Sequence, residues 1–156
     1  MSCRPTVGWA TCGLPLSALV SRDRYCTWGP GKHGSTFGGN PVACAAAVAT
    51  LDLVAGSLTS NAASVGSHFI QRLRDVASRQ ALITEVRGRG LMIGVDFIDG
   101  DTAKAVEQAA FREGLLMLTC GERTVRIAPP LVITEQQADL GAELFERACA
   151  RVVGRL

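Results

Sequence analysis

A chain of 156 residues has room for an ordinary domain with a core of its own. With 47% hydrophobic and 19% charged residues it does not read as a disordered polymer. A net charge of +2 without any lysine–arginine run argues against nucleic acid as a partner, and no apolar stretch reads as long enough and free enough of charge to span a membrane.

Residues 14–20 (LPLSALV) predict a short buried strand, and the polar segment from Arg22 to Lys32, ending in Gly-Pro-Gly, predicts a loop. His33-Gly34-Ser35-Thr36-Phe37-Gly38-Gly39-Asn40-Pro41 follows. Asn40 is a good N-cap and Pro41 suits the first helical position, so a glycine-rich loop feeds a helix over Pro41 to about Val54, expected to stop near Gly56. That helix is alanine-rich and apolar on nearly every side, which predicts burial between two layers or two chains. A second helix is expected from about Asn61 to Ser78, with Val65, Phe69, Leu73 and Val76 on one face.

Leu82 to Val86 leads to a turn at Arg87-Gly88-Arg89-Gly90 and a strand from Leu91 to Ile98. Asp99-Gly100-Asp101 opens a third helix over Thr102 to Glu113, ended by Gly114. Leu115–Thr119 and Thr124–Ala128 read as a hairpin around Cys120-Gly121-Glu122-Arg123, and Pro129-Pro130 terminates its second strand. Thr134 and Gln137 form a capping-box pair for a last helix whose inner stripe is expected at Leu140, Leu144, Ala148 and Val152. Strand, helix, two strands, helix makes an α+β layer: helices packed on a small, mostly antiparallel sheet.

Few residues stand out chemically. Ser35 and Thr36 place two hydroxyls among glycines, which suits a phosphate and equally suits a tight connection. Arg126, in a strand-like run before two prolines, either grips a carboxylate with its planar fork, turns outward to solvent, or pairs with Glu122 or a helix acid. Arg87 and Arg89 are expected to brace a turn by bonding carbonyls, and His33 to be satisfied by backbone. Glu85, Asp96 and Glu113 form no acid–base pair. Six scattered cysteines without a Cys-x-x-Cys pair, far in sequence from His33 and His68, predict reduced thiols, no metal and a cytoplasmic protein; the first thirteen residues lack the apolar core of a secretory signal.

HGSTFGGNP followed by ACAAAVATLDLV resembles the class III aminotransferases, the pyridoxal-phosphate enzymes that include acetylornithine, ornithine and 4-aminobutyrate aminotransferases. The resemblance takes in Leu14-Pro15-Leu16-Ser17-Ala18, Glu85 to Gly94 (EVRGRGLMIG), Gly114-Leu115-Leu116 and Val125 to Leu131 (VRIAPPL), in the family's order. It implies the C-terminal small domain of a fold-type I enzyme over 56–156, preceded over 1–55 by the tail of the cofactor-binding large domain and a connecting helix. It further implies that Thr36, with Ser35, holds the phosphate of pyridoxal 5'-phosphate across a subunit boundary, and that Arg126, with Ser35, receives the substrate. The substrates implied are an amino acid and 2-oxoglutarate; the partner implied is a second copy or a complementary N-terminal half.

One departure is large. The family's Schiff-base lysine lies a few residues before the Gly-Leu-Pro-Leu segment, and here Thr6 to Cys12 (TVGWATC) holds no lysine; Lys32 and Lys104 are the only two in the chain. The sequence therefore predicts a C-terminal fragment without transaminase activity of its own. The alternative reading is a non-catalytic α+β module for oligomerisation or ligand binding.

Overall fold

The computed structural model describes residues 13, 14, 16, 22–32 and 34–154. The strand expected over 14–20 falls mostly outside the described residues, as do His33 and the segment 6–12. The chain forms two compact units, Met1–Gly56 and Ser57–Leu156.

In the first unit a single 3-10 turn covers Asp23–Tyr25 and the remaining loop leads to helix α1, Pro41–Leu53. The Asn40 side chain accepts from the N–H groups of Val42 (3.0 Å) and Ala43 (3.1 Å), so the cap forms as its sequence requires. Burial does not follow. Ala43 alone is buried in α1, while Val42, Val48, Leu51 and Leu53 are exposed. The expected stop at Gly56 is also absent: wide π-type turns run from Val54 to Leu58 and pass directly into α2, Thr59–Ala77. Gly56 keeps an ordinary negative φ and so supplies no left-handed cap. The continuous helix Pro41–Ala77 includes an 18-residue window of mean hydropathy 1.7, long and apolar enough by length and composition to cross a membrane. This corrects the reading of the bare sequence, which broke the segment at Gly56.

The second unit is an antiparallel sheet covered on one face by helices, as the alternation of elements predicts. Its strands are β1 (Ile83–Arg89), β2 (Met92–Phe97), β3 (Leu118–Cys120) and β4 (Thr124–Ile127), in the spatial order β1-β2-β4-β3. Arg87, Gly88 and Arg89 belong to β1 rather than to a turn; the reversal is confined to Gly90 and Leu91, with Gly90 at φ 57°. Tertiary contact makes this site tight. A Cβ at Gly66 in α2 would collide with the Gly90 backbone, so helix and hairpin meet main chain to main chain.

Helix α2 packs on β1, and α3 (Gly100–Arg112) packs on β2, β3 and β4. Asp99 caps α3 by accepting from Thr102 N–H at 2.7 Å. The last helix, α4 (Glu135–Val153), carries the full Thr134–Gln137 capping box and lies against both α2 and α3. Val65, Phe69, Leu73 and Val76 are buried on α2 as expected. The stripe of α4 is in part the expected one: Ala148 and Val152 face inward, joined by Ala138, Ala142, Phe145 and Cys149, while Leu144 is half-buried and Leu140 is exposed. Small residues there let α4 settle between two helices, and Phe145 reaches through to Phe97 of β2 with ring centroids 6.3 Å apart.

Candidate functional site

The candidate residues fall in different units. In the first unit Ser35 and Thr36 lie in a tight turn, with Gly38 N–H donating to the Ser35 carbonyl at 3.2 Å and Gly39 at φ 72°. Both residues are exposed, and neither hydroxyl makes a hydrogen bond among the described residues. The N–H groups of Val42 and Ala43 already go to Asn40. A phosphate here would therefore be met by the loop's hydroxyls and not by those two helix donors. The hollow of about 300 Å³ beside this loop is lined by Leu14, Phe37, Asn40, Val42 and Ala43, with a single polar side chain.

In the second unit the two faces of the sheet differ. Ile93, Val95, Phe97, Val125 and Ile127 point to the helices and are buried. The alternate positions Glu85, Arg87, Met92, Gly94, Asp96, Leu118, Thr124 and Arg126 share the opposite face. No helix of this unit covers that face, and Met92 and Leu118 are exposed on it.

Arg126 is paired in register with Gly94 on β2 and with Leu118 on β3. Its side chain is exposed and makes no ion pair or hydrogen bond among the described residues, neither with Glu122 nor with a helix acid. It borders a hollow of about 330 Å³ whose other lining residues are Leu116, Met117, Leu118 and Ala128. That wall is braced from behind: Glu107 of α3 accepts from Thr119 N–H at 3.0 Å, and Asn61 Nδ2 donates to the carbonyls of Leu131 and Ile133 beyond the two prolines. A guanidinium against apolar walls, with no carboxylate of its own, is equipped to take an anion in a bidentate grip.

The neighbouring arginine is the opposite case. Arg87 does not bond turn carbonyls as expected; its Nη1 lies 2.7 Å from Asp96 Oδ2 and 3.3 Å from Glu85 Oε2. Thr124 Oγ1 donates to Asp96 Oδ1 at 2.6 Å. Asp96 is one of two buried polar residues among the described residues, and the hydrogen bond from Arg87, then that from Thr124, holds its carboxyl below the usual carboxylate range. From the sequence Asp96 is weighed only as an acid–base candidate, and Thr124 is not singled out. The available signal was the alternation in Met92 to Phe97, which puts Met92, Gly94 and Asp96 on one face and three core residues on the other. Arg89 is exposed and makes no ion pair among the described residues.

Glu113 is held by Arg151 and, at 3.6 Å, by Arg147, so it ties α3 to α4. Cys26, Cys44, Cys120 and Cys149 are free thiols, and burial pushes the Cys149 thiol up to about 12. No group of three metal-ligating side chains occurs among the described residues.

The aminotransferase class-III family matches residues 8–149. An acetylornithine aminotransferase from Methanothermobacter thermautotrophicus is 42% identical over 135 residues, 85% of this chain and 34% of its own length. An ornithine aminotransferase from a Geobacillus species is 39% identical over 89% of this chain and 34% of its own length. Among solved structures, ornithine delta-aminotransferase of Plasmodium falciparum superposes with a TM-score of 0.84 at 33% identity, over 94% of this chain and 40% of that one. An amine transaminase of an uncultivated Pseudomonas species, solved with pyridoxal phosphate bound, gives 0.72 at 37% identity, over 78% of this chain and 30% of its own. The chain spans about a third of the length of the curated relatives it matches.

Proposed function

This chain belongs to the class III aminotransferases, and on that premise we propose that it is the C-terminal part of a pyridoxal-phosphate enzyme that moves an amino group from an ω-amino acid to 2-oxoglutarate. The acetylornithine and ornithine aminotransferases among its relatives support an amino donor of that type. Residues 1–55 are assigned to the tail of the cofactor-binding domain and 56–156 to the small domain. A cytoplasmic location agrees with the free thiols at Cys26, Cys44, Cys120 and Cys149.

The residues present fit one end of the coenzyme. Two exposed, unengaged hydroxyls on a glycine loop suit a phosphate, and Thr36 and Ser35 would hold it by donating to its oxygens. The reacting end is not served by this chain, because Thr6 to Cys12 holds no lysine and the chain's two lysines, Lys32 and Lys104, lie outside that segment. When bound, the coenzyme supplies the electron sink for bond changes at the amino-bearing carbon. What the chain contributes is placement. Arg126 takes a substrate carboxylate through two parallel N–H donors, while Leu116 and Leu118 offer apolar contact to the methylenes beside it. Ser35, implied as a substrate contact as well, would add one donor.

The observation that carries this reading is the unpaired Arg126 guanidinium at an apolar hollow, within the matched segment. Titrating 2-oxoglutarate into the chain while following the Arg126 Nε resonance tests it. Binding is expected to weaken about ten- to a hundredfold in Arg126→Lys, about 1.5–3 kcal/mol, because lysine keeps the charge and loses the fork. Equal affinity in both proteins would refute the assignment. The reading as a non-catalytic module draws on a different fact: the second unit closes a core of its own.

A further inference from the structure

Strand β4 ends at Ile127, and the chain then passes through Ala128, Pro129 and Pro130 before it turns toward α4. Ala128 and Pro129 each precede a proline, which confines their backbones to extended conformations, and each proline fixes its own φ. The three residues therefore form a stiff rod. At its near end Ala128 lines the hollow that Arg126 borders. At its far end a turn closes, with Ile133 N–H donating to the Pro130 carbonyl at 3.1 Å. The Ile133 side chain rests on the core, whereas Leu131 and Val132 are exposed. Asn61 of α2 reaches this turn: its Nδ2 donates to the Leu131 carbonyl at 2.7 Å and to the Ile133 carbonyl at 3.1 Å. Among the described residues these are the hydrogen bonds that tie the segment 131–133 to another element.

Resting on the reading of Arg126 as the carboxylate receptor, we propose that Asn61 is a positioning residue for it: by pinning the far end of the proline rod, Asn61 holds Ala128 in the wall of the hollow. Asn61 itself touches no substrate in this scheme. A primary amide suits the task, because it brings two N–H donors to a stretch whose two prolines supply none. With that amide removed, the turn keeps its own bond to Pro130 and the Ile133 side chain keeps its seat on the core. The fold therefore survives, while the rod is free to pivot where it leaves β4. Ala128 then lines the hollow only part of the time, and the apparent affinity falls by that fraction.

The test needs neither the coenzyme nor turnover. 2-Oxoglutarate is titrated into the full chain while the Arg126 Nε and Ala128 methyl resonances are followed. Asn61→Leu, close to asparagine in size and without a donor, is expected to move the Ala128 signal before any ligand is added. The Kd read at Arg126 is expected to rise about fivefold, the effect of a wall in place for about a fifth of the time. Val76→Ala is the control, since Val76 is buried about 22 Å further along α2. It is expected to lower the melting temperature and to leave both the Kd and the Ala128 signal unchanged. An unmoved Ala128 signal or an unchanged Kd in Asn61→Leu would overturn the proposal. So would an equal rise of Kd in Val76→Ala, because a role in stability alone acts alike in both variants. If Asn61→Leu does not fold by circular dichroism, Asn61→Ala, which removes the same amide without adding bulk, decides the same comparison. Silence of wild-type Arg126 toward 2-oxoglutarate would overturn the carboxylate reading instead, and the Ala128 signal, read without ligand, tells the two failures apart.

Discussion

Thr124 Oγ1 donates a 2.6 Å hydrogen bond to Asp96 Oδ1, joining β4 to β2 on the face of the sheet that the helices leave open. Asp96 is 9% exposed, so its charge depends on partners and not on water. Thr124→Val removes the hydroxyl at nearly constant shape. Urea unfolding is expected to show a loss of about 1–2 kcal/mol with an unchanged m-value, since the lost donor leaves a lone pair without its partner. A loss within experimental error would mean that Arg87 alone satisfies the carboxylate.

Acid should destabilise the second unit through a small set of carboxylates. Asp96, held by Arg87, Asp139, held by His68, and Glu146, held by Arg79, all titrate below the ordinary carboxylate range in the folded chain. The unfolded chain therefore takes up protons first as pH falls. Their contribution is complete above the ordinary carboxylate range and is lost as pH drops through it toward the depressed values. Asp96→Asn is expected to give a shallower acid limb than wild type when melting temperature is plotted against pH. Parallel limbs would show that Asp96 titrates alike in both states.

Helix α4 offers a direct comparison of two large side chains. Phe145 is fully buried against Phe97, whereas Leu140 is 53% exposed. Phe145→Ala is expected to cost about 3–5 kcal/mol, and Leu140→Ala no more than about 0.5 kcal/mol. Comparable losses at the two positions would place the buried stripe of α4 elsewhere.

Thiol chemistry should separate two cysteines. Cys26 is exposed, while Cys149 is fully buried with its thiol pushed up to about 12. At neutral pH iodoacetamide is expected to label Cys26 within the native protein and Cys149 only when denaturant is present. In alkali the sign is the reverse of the acid case: stability from a neutral Cys149 is present below the ordinary thiol value and is lost as pH rises toward about 12. Native labelling of Cys149 would reveal opening of α4 against α2 and α3.

Incubated alone with pyridoxal phosphate, an ω-amino acid and 2-oxoglutarate, the chain is expected to form no glutamate. Neither Lys32 nor Lys104 lies in the segment where the family carries its reactive lysine. Glutamate formation above the rate of free pyridoxal phosphate would contradict this.

The sequence by itself determined the elements whose signals are local and the kinship carried by collinear motifs. The Thr134–Gln137 capping box, the Asn40 cap before Pro41, the Gly121 turn and the buried face of α2 each depend on residues within a few positions of one another. Tertiary structure decided what long-range neighbours set. Leu140 has the right period for a buried stripe, yet the seat of α4 between α2 and α3 turns Phe145 and Cys149 inward instead. Gly56 reads as a stop, but its backbone stays helical and the turns continue. Whether an arginine is paired is likewise not written in its own strand. Arg87 and Arg126 both sit in strand motifs beside small residues; only the register of β1 and β4 on β2 gives Asp96 to one and leaves the other free. Periodicity fixes which face a side chain takes, and strand register fixes which charges share it.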